Sequence, residues 1–127
     1  MEDIESREDV RILVEKFYEK IRQNDEIGHF FNETITDWEA HLEKLTDFWE
    51  SNLFFKSTFT GNPKRAHIKV DQAFGEKITN YHFGIWMNLW FETIDELYSG
   101  EIAHRAKTNA RKMSVHLFLG IYKARSK

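Results

Sequence analysis

The chain has 127 residues and a net charge of −3, a size that fits one domain over residues 1–127 with a hydrophobic core of its own. Charges of both signs are scattered without a basic stripe, which argues against nucleic acid as a partner. There is no Cys, which excludes disulfides, iron–sulfur clusters and cofactors attached through thioether bonds. The acidic first six residues are no signal peptide, and no apolar run reaches the roughly 20 residues that span a bilayer, so we expect a cytoplasmic protein without membrane contact.

The first half of the chain predicts two helices separated by a short apolar turn. Ser6 begins a capping box with Asp9, and the apolar residues that follow recur at helical spacing: Val10, Leu13, Val14, Phe17 and Ile21. Residues 24–28 are predicted to end this helix, and residues 29–32 are predicted to form a short apolar turn. Thr36 is the predicted cap of the next helix, and residues 51–61 read as irregular.

The second half predicts a short helix, a loop and two long helices. Asn62 followed by Pro63 is a strong helix start, and the helix it opens contains His67. Residues 71–79 are polar and read as a loop. A long helix follows from about Asn80, Gly100 breaks it, and the last helix carries alanines on one face. No segment alternates with period two, so the prediction is an all-α fold.

Four residues on separate predicted helices are candidates for one buried pocket: Tyr18, His41, His67 and Trp86. Imidazole is the commonest protein ligand of iron, zinc and copper, so one of these histidines can hold a metal. The phenol and the indole are hydrogen-bond donors that are costly to bury without a partner.

Each candidate also has a plainer interpretation when it is taken alone. His67 fits a solvated histidine beside basic neighbours, and Tyr18 fits a tyrosine at the core boundary with its hydroxyl in water. His41 fits a core histidine bonded to a carbonyl, and Trp86 fits ordinary core packing. The order of the four along the chain is more specific than any one of them.

That order resembles the truncated haemoglobins, the two-over-two helical globins of bacteria, and specifically their group III. The resemblance runs from about residue 10 to residue 122. It is carried by these stretches: 17–22 (FYEKIR), 30–32 (FFN), 38–41 (WEAH), 48–49 (FW), 61–67 (GNPKRAH) and 82–86 (HFGIW). The chain lacks the Gly-Gly pairs that the other truncated groups usually carry, which favours group III.

The resemblance implies a non-covalent haem b with His67 as the proximal iron ligand. It implies a distal side, where a gas ligand binds, formed by Tyr18, His41 and Trp86. The implied haem contacts are His67, Phe31, Leu45, Val70, His82, Phe83 and Trp86. The segment between His67 and Trp86 is longer and more polar than in the leanest members, and Lys64, Arg65 and His82 are the candidate propionate partners.

The function that the resemblance implies is the binding of O2 and related diatomic ligands (NO or CO), or of peroxide, by a monomer that an unknown reductase serves. Two hydrogen bonds to a bound ligand would slow its release, which suits NO dioxygenation or peroxidase-like chemistry better than oxygen transport. Two alternatives stay open. One is a non-haem iron protein, because Glu101 and His104 have the Glu-x-x-His spacing of di-iron bundles. The other is a haem-free helical sensor or interaction module.

Overall fold

The computed structural model describes residues 1–57, 59 and 61–125, and within that part of the chain it contains six α-helices and no strand. The helices are α1 (Arg7–Gln23), α2 (Gly28–Asn32), α3 (Trp38–Phe54), α4 (Pro63–Ala73), α5 (Asn80–Leu97) and α6 (Glu101–Arg125). Among the described residues, no helix combines the length and apolarity that a membrane span requires. The predicted all-α class is therefore observed.

The helices pack as two pairs. α1 lies against α3, α5 lies against α6, and the pairs meet where α1 contacts α5. The short α4 packs on α6, and α2 packs against α1. This is a two-over-two arrangement, in which α3 lies on α1 and α4 lies on α6.

The core forms where the predicted apolar faces of α1 and α5 meet. The five apolar residues that predicted α1 are at most 1% exposed: Val10, Leu13, Val14, Phe17 and Ile21. Trp90 of α5 is fully buried, stacks on Trp49 of α3 with ring centroids 4.6 Å apart, and donates from its indole N–H to the Ala106 carbonyl at 3.2 Å. That bond requires α6 to approach closely, which its small residue permits.

A polar seam of two arginines ties α1 to α3 beside this core. Arg7 contacts Asp47 at 2.8 Å and the buried carboxylate of Glu50 at 2.9 Å. Arg11 donates to both carboxylate oxygens of Glu39 at 3.0 Å. The seam fixes the register of α3 on α1, and α3 carries His41.

Three local predictions were wrong in detail. The cap of α3 is Asp37, whose carboxylate accepts from the Ala40 N–H at 3.1 Å, and Thr36 is not the cap. Residues 29–32 belong to the one-turn helix α2. The irregular segment predicted from residue 51 begins only after Phe54, where α3 ends, and the loop predicted from residue 71 begins only after Ala73, where α4 ends.

Candidate functional site

Four aromatic side chains from α1, α2 and α3 meet in one cluster, which we term the distal cluster: Tyr18, Phe31, Trp38 and His41. The Tyr18 ring lies 5.7 Å from the Phe31 ring, 5.9 Å from the Trp38 ring and 5.7 Å from the His41 ring, the last at an interplanar angle of 90°. Trp38 and His41 are 5.7 Å apart. The structure therefore brings two of the candidate residues, Tyr18 and His41, into direct contact.

His41 has a buried ring nitrogen without a partner. Its Nε2 has no hydrogen-bond partner among the described residues, so the interpretation as a core histidine bonded through that atom to a carbonyl is not supported. Burial, with a smaller contribution from electrostatic repulsion by Lys44 and by His67 in its protonated form, lowers the pKa of His41 to about 4. The side chain is therefore neutral near pH 7, and its orphaned nitrogen is available to a ligand.

Tyr18 is buried beside the indole of Trp86. Its side chain is 8% exposed, so the interpretation as a boundary tyrosine with its hydroxyl in bulk water is not supported. Burial raises the pKa of the Tyr18 hydroxyl, and a side-chain hydrogen bond with Trp86 partly opposes that rise. Phe17 lies between the helices, 4.9 Å from the Tyr18 ring and 5.5 Å from the Trp86 ring. The hydroxyl consequently stays protonated and able to donate across the physiological pH range.

His67 lies half-buried on α4, one turn after Pro63. Its Nδ1 pairs with the Pro63 carbonyl oxygen at 2.6 Å, which requires the proton to sit on Nδ1 and leaves Nε2 with its lone pair. Burial lowers the pKa of His67, and the bond to Pro63 opposes that effect in part. The ring stacks on Phe83 of α5 with centroids 6.3 Å apart and planes 28° apart. A neutral imidazole that is oriented in this way, with an unprotonated Nε2, can ligate a metal ion.

The remaining candidate contacts lie on three helices. Leu45 of α3 and Val70 of α4 are half-buried and pack against the core, and Phe83 is buried. His82 caps α5, because its Nδ1 accepts from the Thr79 N–H at 2.9 Å, and its ring is 5.0 Å from Phe30. These positions are compatible with walls of one site, and their role toward a cofactor remains a prediction.

The two candidate propionate partners before His67 are exposed. Lys64 lays its aliphatic stem beside Gly120 of α6, and Arg65 follows it on the surface of α4. Their contact with a cofactor also remains a prediction.

A cavity of about 530 Å³ opens beside the distal cluster. Tyr18, Trp38 and Leu42 supply its aromatic and apolar lining, and Arg22 and Asn32 supply polar groups. The Arg22 guanidinium lies 4.3 Å above the Trp38 ring, and its Nε donates to the Asn32 amide oxygen at 3.2 Å. Arg22 lies one turn after Tyr18 on α1, but its bond to Asn32 depends on how α2 packs against α1, which sequence spacing does not show. A second cavity of about 300 Å³ lies between α4 and α6, next to Pro63.

The non-haem iron alternative finds no support in the described residues. Glu101 and His104 are both exposed in the first turns of α6. Within the described part of the chain, no three His, Asp or Glu side chains come close enough together to hold a metal ion. A di-iron site needs two such motifs facing each other, and this surface position provides one.

Comparison with known proteins returns one family name. No protein-family model matches the chain. The chain is 27% identical over 122 residues to the group 3 truncated hemoglobin of Campylobacter jejuni, across 93% of this chain and 92% of that protein. The crystal structure of a group III truncated hemoglobin from Campylobacter jejuni superposes with a TM-score of 0.84 and 26% identity, covering 98% of both chains. The resemblance predicted from the sequence and the truncated-globin fold are therefore confirmed.

Proposed function

We propose that this chain, which resembles group III truncated haemoglobins in sequence and in fold, binds haem b through His67 and holds a diatomic ligand against Tyr18, His41 and Trp86. The proposal rests above all on one observation. His67 has Nδ1 committed to the Pro63 carbonyl, which leaves its Nε2 lone pair available to ligate a metal. The Nε2 of His41, which is buried without a partner among the described residues, supports the proposal from the side of α3.

The residues present fit haem. Aromatic and aliphatic side chains that are half-buried here can cover an apolar disc: Phe31, Leu45, Val70 and Trp86. The orphaned His41 nitrogen gains a partner only if something polar enters the site. The chain has no Cys, so attachment is non-covalent. When bound, haem would supply an iron centre that His67 would hold and that would bind a gas ligand on the side of Tyr18, His41 and Trp86.

The chain's own residues then decide what happens to the ligand. Tyr18 keeps its proton because burial raises its pKa, so its hydroxyl can donate to a ligand that carries partial negative charge. The Trp86 indole N–H donates to the Tyr18 hydroxyl oxygen, which orients that hydroxyl so that its own proton can point to a ligand. Because His41 is neutral, it can accept or donate without introducing a charge. Such a pocket retains oxygen strongly, which favours redox use, such as NO dioxygenation or peroxide turnover with an external reductase, over oxygen transport.

The test of haem binding is the visible spectrum of the purified protein after haem addition. We expect a Soret band that shifts when the reduced protein is exposed to CO. His67→Ala removes the only nitrogen that the proposal gives to the iron, so the shift and the band position should change. His104→Ala, an exposed histidine on α6, is the control and should leave the spectrum unaltered. Absence of a Soret band from a cooperatively folded wild-type protein would instead favour the haem-free module.

The test of the redox extension is NO consumption by the oxygen-loaded, reduced protein, followed by stopped-flow absorbance and nitrate analysis. We expect nitrate in stoichiometric yield and one turnover per electron supplied. Release of oxygen on NO addition without nitrate would leave ligand binding as the function.

Size-exclusion chromatography with light scattering tests the proposed monomeric state of the protein.

A further inference from the structure

The helix that carries His67 is anchored by a charge instead of by apolar packing. Of the eleven residues of α4, all of them described, Asp71 alone is fully buried, with 2% of its surface exposed. The apolar residues Ile68 and Val70 are half-buried and only flank the core. A carboxylate in this position requires a partner, because burying an unpaired charge costs several kcal/mol.

The partner is Arg125, the last residue of α6. Its Nε donates to Asp71 Oδ2 at 2.9 Å and its Nη2 donates to Oδ1 at 2.6 Å, a bidentate pair. The same Nη2 donates to the Ile78 carbonyl at 2.6 Å, and the Ile78 N–H donates back to Asp71 Oδ1 at 3.0 Å. The hydrogen bond to Asp71 raises the pKa of Arg125. We term these three residues the Asp71 clamp, which joins α4, the segment before α5 and the end of α6.

The clamp lies in register with His67. Pro63, His67 and Asp71 are spaced i, i+4 and i+8, so they lie on one side of α4 with about 6 Å of helix rise between successive members. His67 is bonded to the carbonyl of the residue one turn before it, and the clamp holds the residue one turn after it. Apolar contacts permit a helix to slide or turn slightly, whereas a bidentate ion pair fixes both its position and its rotation.

We infer that Asp71 and Arg125 are positioning residues that set the orientation of the His67 imidazole toward the iron. The inference rests on the proposed function. It means that the C-terminal end of α6, which lies far along the chain from the distal cluster, helps to set the orientation of the proposed proximal ligand His67. It also gives a role to Asp71 and Ile78, which lie in a polar segment whose sequence is typical of a loop.

The experiment measures the iron–histidine stretching band of the reduced, haem-loaded protein by resonance Raman spectroscopy. Arg125→Gln breaks the ion pair and should shift or broaden the band. Arg125→Lys keeps the charge and loses the fork, so it should give a smaller change in the same direction. Arg105→Gln is the matched control, because Arg105 also lies on α6 and bonds a carbonyl, that of Leu53 at 2.8 Å, away from α4. The control should leave the band in place.

The outcomes separate this inference from the proposed function. If wild-type protein binds no haem, both fail. If wild-type protein binds haem and the band of Arg125→Gln coincides with that of wild type, only the clamp's role is overturned. If Arg125→Gln does not fold, Arg125→Lys decides, because lysine cannot form the bidentate pair with Asp71. A shifted band then supports the inference, and an unshifted band refutes it.

Discussion

Acid should destabilise the haem-free protein through His41, and the size of the effect follows from its burial. The pKa of His41 is about 4 in the folded chain, against an ordinary value of 6.5. The unfolded chain therefore binds a proton near pH 6.5, while the folded chain resists protonation until about pH 4. The contribution of the neutral imidazole to stability is complete above pH 6.5 and is lost as the pH falls toward 4.

The magnitude can be calculated from these two values. Between pH 7 and pH 5 the linkage amounts to at most about 2 kcal/mol, since one pKa unit corresponds to about 1.4 kcal/mol and solvent screens part of the effect at this half-buried side chain. His41→Leu removes the titrating group, so the difference in unfolding free energy between His41→Leu and wild type should grow by about 1–2 kcal/mol over this interval. Titrating groups that do not interact with His41 cancel because they are common to both proteins, whereas Lys44 and His67 interact with it and contribute to the difference.

The assay is urea unfolding of haem-free protein followed by far-UV circular dichroism at pH 7, 6 and 5. Thr46→Val is the control, because Thr46 is a buried neighbour on α3 that carries no titratable group. Its free-energy difference from wild type should be the same at each pH. A difference for His41→Leu that is equally constant would refute the argument that burial keeps this imidazole neutral.

Three further substitutions test separate parts of the molecule. Tyr18→Phe removes the donating hydroxyl and should speed oxygen dissociation from the haem-loaded protein by about 10- to 150-fold, the equivalent of 1.5–3 kcal/mol; an unchanged rate in stopped-flow measurements contradicts the proposed distal role. Trp90→Phe loses the bond to the Ala106 carbonyl and some packing, so urea unfolding should show a loss of about 2 kcal/mol; a loss under about 0.5 kcal/mol would show that the bond is dispensable. Gly100→Ala places a Cβ 2.5 Å from Asp3 Cγ at a φ of +138°, and should cost about 1–3 kcal/mol by the same assay, while an unaltered midpoint would mean that the N-terminal segment yields freely.

Much of the fold could be predicted because its signals are local. The apolar spacing of α1 and the Asn62–Pro63 start of α4 are each contained within a few residues. The cap of α3 could not be resolved in the same way, since Thr36 and Asp37 are adjacent and both can cap. Backbone conformation chooses between them, and it places the Asp37 carboxylate on the Ala40 N–H.

The candidate site was predictable only as a set of separate residues. Tyr18 and His41 could each be singled out, but their contact depends on how α1 and α3 pack. Asp71 was assigned to a polar loop, because its partner Arg125 lies 54 residues further along the chain and periodicity within one segment cannot reveal such a pair. Residues whose importance comes from a distant partner are the ones that a single sequence conceals.

The placement of the four tryptophans gives this protein an optical reporter of its own state. Trp49, Trp90 and Trp86 form a continuous stack through the core, and Trp38 touches Tyr18 and His41. Every emitting indole is thus a short distance from the proposed haem pocket, well within the range of resonance energy transfer. Addition of a porphyrin to the unlabelled chain should quench nearly all of its intrinsic tryptophan fluorescence, so that porphyrin binding and release can be followed in real time.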